Sequence, residues 1–257
     1  MSAFEHSIDV NADLGEGFGP YQLGADAELM PLVTSANIAC GFHAGDAMTM
    51  RAAVAAAAKH GVVIGAHPGY PDLQGFGRRD LNATPAEITA YVIYQIGALD
   101  AVCRASGARL GYVKAHGALY NRAATDRVAA DAIAEAIRLV DPSLMMLGLA
   151  GSQLIAAGEA AGLGTAAEAF ADRAYARDGT LVPRSVAGAV VHDTEAVVAR
   201  ALRMVTTGSV TAIDGTDVAI RADSLCVHGD TPGAIALVRA LRAHLDHHAV
   251  RVSPFVR

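Results

Sequence analysis

The sequence predicts an α/β fold, a seven-stranded parallel β/α barrel, and three observations carry that prediction. Apolar runs repeatedly break off into clusters of Gly, His, Asp and Pro, with helical patterns between them, which is the rhythm of βαβ units. Seven such runs follow one another along 257 residues, a length typical of one α/β barrel and ample for a large core. Six of the seven end in charged or histidine residues. An open doubly wound sheet would gather its site near one switch point, so contributions from nearly every strand end favour a closed barrel, or one with an incomplete wall.

The units follow in order. HSIDVNADLGEGFG is the first strand, and alternation places Asn11 and Asp13 on one face, with Glu16 just beyond. DAELMPLV reads as a short helix. SANIACGFHAGD is the second strand and its polar end. It leads into the helix MTMRAAVAAAAKHG, which closes on Lys59, His60 and Gly61 in the usual C-terminal manner. VVIGAHPGY is the third strand, followed by the glycine-rich loop PDLQGFGRRDL. Thr84 and Pro85 then supply an N-cap and a first helical residue for a helix to about Ser106. RLGYVKAHGALYN is the fourth strand, with Lys114 and His116 on one face, and its helix covers about Arg127 to Leu139. SLMMLGLAGS, the fifth, carries no charge. TAAEAFADRAY, the sixth, sets Glu168, Phe170 and Asp172 on one face if regular. A Gly- and Pro-punctuated loop and a helix to about Thr206 come next, then a hairpin around Asp214-Gly215. The seventh strand, DSLCVHGDTPG, ends in His228 and Asp230, and a last helix spans about Ala234 to His247. No linker, low-complexity tract or short repeat interrupts the series, so residues 1–257 read as one barrel domain.

Composition narrows the functional classes. Hydrophobic residues make up 53% and charged residues 18%, which excludes a disordered chain. A net charge of −6 argues against nucleic acid or an anionic membrane as partner, since both call for a basic patch. Cys40, Cys103 and Cys226 show no CxxC spacing and fit a reducing, cytoplasmic compartment. The first ten residues lack a basic stretch followed by an apolar one, so no signal peptide is expected, and no apolar run is long enough for a membrane span.

Position sorts the ten histidines. His60, His244, His247 and His248 sit at helix ends, where they complement the helix dipole, and His6 and His192 lie in a terminal segment and a loop. His43, His67, His116 and His228 instead occupy equivalent points of four units, which points to a shared site at the C-terminal ends of the strands. Asp46 falls in the same region as His43. Lysine usage adds to this: only Lys59 and Lys114 are lysines among 20 basic residues. A compact ammonium beside His116 suits oxyanion stabilisation or proton transfer better than a guanidinium. Asp13, Glu16, Asp46, Glu168, Asp172 and Asp230 supply carboxylates that could bind a divalent metal, act as acids and bases, or orient the imidazoles. No HExxH or clustered His/Cys motif is present, so spacing gives little support for a metal and identifies none. Cys40 and His43 would face opposite ways on a regular strand, which disfavours a catalytic thiol, and no GxxxxGK[ST] phosphate loop occurs.

DVNADLGEG, SANIACGFHAGD, IGAHPGYPDLQGFGRR, VKAHGALYN, EAFADRAY, GTLVPR and LCVHGD occur in order over nearly the whole chain. At these stretches the sequence resembles the LamB/YcsF family, the A subunits of bacterial ATP-dependent 5-oxoprolinases. One departure is Ala115, where the family commonly has Pro. The resemblance implies a barrel of the glycoside hydrolase/deacetylase type, an irregular TIM-like barrel. It also implies cleavage of 5-oxoproline to L-glutamate with hydrolysis of ATP to ADP and phosphate, ATP as co-substrate with a divalent cation, and two partner subunits, B and C. Coupling is reasonable because a five-membered lactam is a stabilised amide, and phosphorylating its oxygen activates the carbon towards water.

On that reading the catalytic candidates are Asp13, His43, His67, Lys114, His116, Glu168 and Asp172. The substrate-binding candidates are Asn11, Glu16, Asn37, Asp46, Arg78, Tyr120, Arg173, His228 and Asp230. Lys114 and a histidine would stabilise developing negative charge. Asp13 or Glu168, with His43 or His67, would activate water, and Arg78 or Arg173 would hold the substrate carboxylate. Two rivals remain open at this stage: a stand-alone metal-dependent amidohydrolase or deacetylase, active without ATP, and a non-catalytic lactam-binding subunit. The missing histidine-pair motif counts against the first, and the number of titratable groups against the second.

Overall fold

The structure is a computed structural model that describes residues 4–227 and 233–256. Among the described residues, seven parallel strands close into a barrel: β1 (His6–Leu14), β2 (Ser35–Ala39), β3 (Val63–His67), β4 (Leu110–Val113), β5 (Met145–Leu149), β6 (Thr165–Phe170) and β9 (Ser224–Val227). Two short strands, β7 (Ser209–Thr211) and β8 (Asp217–Ala219), form an antiparallel hairpin before β9. β10 (Val250–Val252) pairs in parallel with the start of β1. Closure rests on β1, which pairs with β2 through Asn11↔Ser35 and Asp13↔Asn37 and with β9 through Asn11↔Cys226.

The helices are α1 (Asp26–Leu29), α2 (Ala47–His60), α3 (Pro85–Ala105), α4 (Gly117–Thr125), α5 (Arg127–Val140), α6 (Gln153–Ala160), α7 (Thr194–Thr207) and α8 (Ala234–His247). Their ends follow from local chemistry. The Thr84 hydroxyl accepts from the Glu87 N–H while the Glu87 carboxylate accepts from the Thr84 N–H, a complete capping box in front of Pro85. Asp126 caps α5 and Asp193 caps α7, and Gly61 ends α2 in the left-handed conformation at φ +67°.

Alternation along the strands divides the interior in two. Ile8, Val10, Ala12 and Leu14 of β1, Ala36 and Ile38 of β2, and Ile64 and Ala66 of β3 are buried in one apolar core, together with Val54 and Ala57 of α2 and Ile88, Val92, Ile96 and Leu99 of α3. The intervening residues are polar and equally buried: Asp9, Asn11, Ser35, Asn37, His67 and Ser224 are each at most 1% exposed. Barrels of this kind are ordinarily filled by branched apolar side chains. Here a hydrogen-bonded network shares the space inside the strands with a small apolar cluster of Tyr112, Leu147 and Ala166.

The structure departs from the sequence reading in three places. The fourth strand ends at Val113 rather than running on through the KAHGALYN segment. Gly117, at φ +56°, turns the chain, the Ala118 N–H donates to the Gly77 carbonyl, and α4 begins there. Helix α6 and strand β10 were not expected, because each lacks a strong cap or a long apolar run. The Asp214-Gly215 hairpin is found, with Gly215 at φ +87°. No helix among the described residues is long and apolar enough to cross a membrane.

Gly65 of β3 gives a test of the packing. A Cβ there would overlap the Tyr112 ring, which is fully buried, fixed by its hydroxyl on Asn37 and packed edge-on against Phe255. Gly65→Ala is expected to cost about 1–3 kcal/mol through overpacking, read as a lower urea midpoint at unchanged slope. A variant as stable as the parent chain would show that the ring can move aside.

Candidate active site

The polar interior is built in layers. At the bottom the Asp9 carboxylate accepts from the Ser35 hydroxyl (2.6 Å), the Thr34 hydroxyl (2.6 Å) and the Ser224 hydroxyl. Burial pushes its pKa up, and these hydroxyls oppose that shift. Above it Asn37 Nδ2 donates to Asn11 Oδ1 and to Asp13 Oδ1, both at 2.7 Å, and the Tyr112 hydroxyl donates to Asn37 Oδ1 at 2.7 Å. Asn11 Nδ2 in turn donates to Ser224 Oγ. Asp9, Asn11 and Asp13 share one parity on β1, and Ser35 and Asn37 share one on β2, so these side chains point inward.

Lys114 lies at the top of this stack. Its Nζ is 2.7 Å from Glu168 Oε1, 3.1 Å from Asp13 Oδ1, 3.2 Å from Asn11 Oδ1 and 3.2 Å from Cys226 Sγ. Burial alone would lower its pKa, but Asp13, Cys226 and Glu168 outweigh that and hold it well above the usual value, so Lys114 is a fixed ammonium. Burial would raise Asp13, and His67 and Lys114 outweigh it in the other direction, so its carboxylate is held well below the usual range. Glu168 is fully buried, and its second oxygen accepts from the Tyr120 hydroxyl at 2.8 Å. The Asp13 side chain is 20% exposed and forms the partly open side of the cluster.

Three histidines meet beside Asp13. His67 Nε2 is 3.4 Å from Asp13 Oδ1 and 3.0 Å from His116 Nδ1. The rings of His43 and His116 stack 3.7 Å apart and nearly parallel, and both stand edge-on to His67. Glu16 Oε1 lies 3.6 Å from His43 Nε2 and 3.9 Å from His116 Nδ1. Burial, then the neighbouring imidazoles, lowers the pKa of His43 far below its usual value and that of His116 to about 3, so both rings are neutral. One ligand atom from each of Glu16, His43, His67 and His116 lies within 4.8 Å of the others, so these four residues could hold a metal.

The glycine-rich loop after β3 closes over the histidines. Asp72 organises it by accepting from the Gly75 and Arg79 N–H groups and from the Arg79 guanidinium. Gln95 of α3 brackets Gly69 through paired bonds of 2.9 Å. Phe76 sits at φ +53°, uncommon for a bulky residue, and its carbonyl accepts from His116 Nε2 at 2.8 Å. A Cβ on Gly77 would come within 2.8 Å of both His43 and His116, so only glycine allows the loop to lie on the rings.

The structure therefore gathers Asn11, Asp13, Glu16, Asn37, His43, His67, Lys114, His116, Tyr120 and Glu168. Arg78 is exposed on the covering loop, its guanidinium 5.0 Å from the centre of the Phe76 ring. Half-buried Asp172 stands at the edge, near Cys226, Arg173 and Tyr175. Two expectations are corrected. Asp46 is a helix cap: one oxygen accepts from the Met48 and Thr49 N–H groups and the other from the Gly19 N–H, so its charge is committed to backbone. Arg173 is a brace whose guanidinium donates to the carbonyls of Ala189 and Val182, in place of a carboxylate-binding role. His228 and Asp230 lie outside the described residues.

Sequence reading missed Asp9, Tyr112, Cys226 and Gln95. Asp9 shares parity with Asn11 and Asp13, and Tyr112 with Lys114, and that was the available signal. Cys40 is buried, its thiol pushed up to about 12 by burial, and its Sγ donates to the Ile38 carbonyl.

Comparison with known proteins adds to this geometry. The sequence model of the LamB/YcsF family matches residues 8–257. The chain belongs to that family. It is 53% identical over 244 residues to the A subunit of 5-oxoprolinase from Syntrophobacter fumaroxidans, covering 95% of this chain and 96% of that one. It is 54% identical over 252 residues to the corresponding protein of Rhodopseudomonas palustris, covering 98% and 99% respectively. The crystal structure of a lactam utilization protein from Thermus thermophilus superposes with a TM-score of 0.92 at 48% identity, over 97% of this chain and all of that one. The LamB/YcsF motifs are thus the segments that build the layers: DVNADLGEG carries Asn11, Asp13 and Glu16, and VKAHG carries Lys114 and His116.

The charge arrangement predicts a stability profile. A carboxylate whose folded pKa is depressed adds stability that is complete above its unfolded pKa, about 4 for Asp, and disappears as acid protonates it in the folded state. Lys114→Met strands the buried Glu168 carboxylate and the partly open Asp13 and is expected to cost about 3–5 kcal/mol at pH 7. The gap to the parent chain should narrow below about pH 4. Urea unfolding at pH 7 and pH 3.5 measures both, and a gap that does not change with pH would disprove the assignment of charge.

Proposed function

We propose that this chain is the A subunit of an ATP-dependent 5-oxoprolinase, cleaving 5-oxoproline to L-glutamate together with two further subunits. The observation that carries the reading is the permanently charged Lys114, set in a water-poor cluster beside neutral imidazoles and a partly open carboxylate, Asp13. Such a set suits an amide. The ammonium stabilises negative charge growing on the carbonyl oxygen, and a neutral imidazole or the Asp13 carboxylate takes a proton from water. The names carried by its relatives point to the same substrate class.

ATP enters for a thermodynamic reason. Transfer of the γ-phosphoryl group to the lactam oxygen releases ADP and makes the ring carbon electrophilic. Water adds there, the ring nitrogen leaves as an amine after taking a proton, and a second water hydrolyses the resulting acyl phosphate. In this chain Lys114 is assigned to the oxygen, Asp13 with His67 to the water, and Arg78 to the substrate carboxylate in place of Arg173. A stand-alone hydrolase is the alternative that the four-residue Glu16–histidine group keeps in view.

The deciding assay measures glutamate and ADP from 5-oxoproline and ATP, first with this chain alone and then with its two partner subunits. Activity only in the complete mixture, with ADP formed alongside glutamate, is expected. His67→Gln should lower kcat by about 100-fold or more in the assembled enzyme. Glutamate release by the chain alone without ATP would replace this reading with the hydrolase.

A further inference from the structure

We propose that Glu16, His43, His67 and His116 form a binding site for one divalent transition-metal ion of the zinc class. The inference goes beyond the lactam reading and stands without it; with an ion bound, the His67 lone pair is a ligand and Asp13 is left to take the proton from water.

The argument starts from which nitrogens carry protons. His67 Nδ1 is 2.8 Å from the Lys114 carbonyl, and His116 Nε2 is 2.8 Å from the Phe76 carbonyl. A carbonyl oxygen only accepts, so both of these nitrogens are N–H donors. In a neutral imidazole the other nitrogen is then a bare lone pair. With both rings neutral, His67 Nε2 and His116 Nδ1 are bare and face each other at 3.0 Å. Two lone pairs at that distance repel unless a positive charge lies between them. Glu16 Oε1, another electron-pair donor, approaches His116 Nδ1 to 3.9 Å.

His43 supplies an independent observation. It is fully buried, and neither ring nitrogen has a hydrogen-bond partner, although burying an imidazole without one is costly. Its Nε2 is 3.6 Å from Glu16 Oε1. Four donors about 2.1 Å from a tetrahedral ion lie roughly 3.4 Å from one another. The separations of 3.0, 3.6 and 3.9 Å bracket that value.

The surroundings have the form that metal-ligating histidines require. Such histidines donate their second N–H to a carbonyl or carboxylate, which fixes the tautomer and aims the ring, and His67 and His116 both do so. Phe76 adopts its left-handed backbone at the point where its carbonyl meets His116. Glu16 is held by the loop after β1, where the Gly15 N–H donates to Asp26 and the Gly19 N–H to Asp46. Three imidazole nitrogens and one carboxylate oxygen suit zinc, cobalt or iron(II) better than calcium or magnesium. A lone pair lies in the plane of its ring, so the parallel His43 and His116 rings must tilt apart to share an ion. His43 has no hydrogen bond to lose in doing so.

Calorimetric titration of Zn²⁺ into the chelator-treated full chain tests the proposal, with Co²⁺ absorbance reporting the donor geometry. One ion per chain is expected, and visible Co²⁺ bands of a four-coordinate nitrogen–oxygen site. His67→Ala and His116→Ala should weaken binding by at least about 100-fold. Glu16→Gln, which keeps the side-chain volume, should weaken it as well, so the result does not hinge on variants that misfold. The half-buried His244 and exposed His248, on and just after α8, form the competing imidazole pair, and binding should survive in the His244→Ala/His248→Ala chain. No binding, binding lost with the α8 histidines, or binding indifferent to His67→Ala and Glu16→Gln would each overturn the proposal. A proton shared by His67 and His116 would then be the charge between them.

Discussion

The Lys114 ammonium, buried inside a closed barrel between Asp13 and Glu168, is the constraint around which the rest of the interior is arranged. An ion in a low-dielectric interior needs counter-charge and full hydrogen bonding. Asp13, Glu168, Asn11 and Cys226 provide these, and they are themselves positioned by Asn37, Tyr120, Tyr112 and Ser224. The polar layers are thus successive shells of support for one charge. Replacing them with well-packed apolar residues would be neutral or favourable for stability alone. Their presence fits a barrel in which charge is held ready where water is scarce.

Much of this was legible in the sequence because the signal lay in strand parity. Asn11 and Asp13 alternate with Val10, Ala12 and Leu14, and the structure puts the two polar side chains on one network. The strand count and order also followed from apolar runs with polar ends. Individual roles did not follow. Asp46 and Arg173 are charged residues near strand ends, as the rim residues are, and only their backbone partners distinguish them. His43 lies beyond the end of β2, so strand alternation could not place it. Tyr112 and Cys226 look like ordinary core residues until their hydroxyl and thiol are seen to face Asn37 and Lys114.

The covering loop shows a different relation between sequence and structure. Its glycines signal close approach, and at Gly77 the neighbours are the two stacked imidazoles. The strained Phe76 backbone, the Asp72–Arg79 pair and the Gln95 bracket all bear on how the loop meets His116. That investment in one loop means the second nitrogen of His116 is aimed as deliberately as the first.

Asn11 bonds to Ser224, 213 residues further along the chain, and Lys114 to Cys226, 112 residues further. The interior therefore cannot be completed until the last barrel strand has been synthesised, and contacts of such separation form late. A barrel lacking that strand would be a sheet with two open edges, the arrangement most prone to pairing with a neighbour. Its concave face, however, would carry Asp9, Asp13, Lys114 and Glu168. Inward-pointing charge is one of the devices by which sheets avoid edge-to-edge association. The charge enclosed by the finished barrel would then also hold its unfinished edges apart.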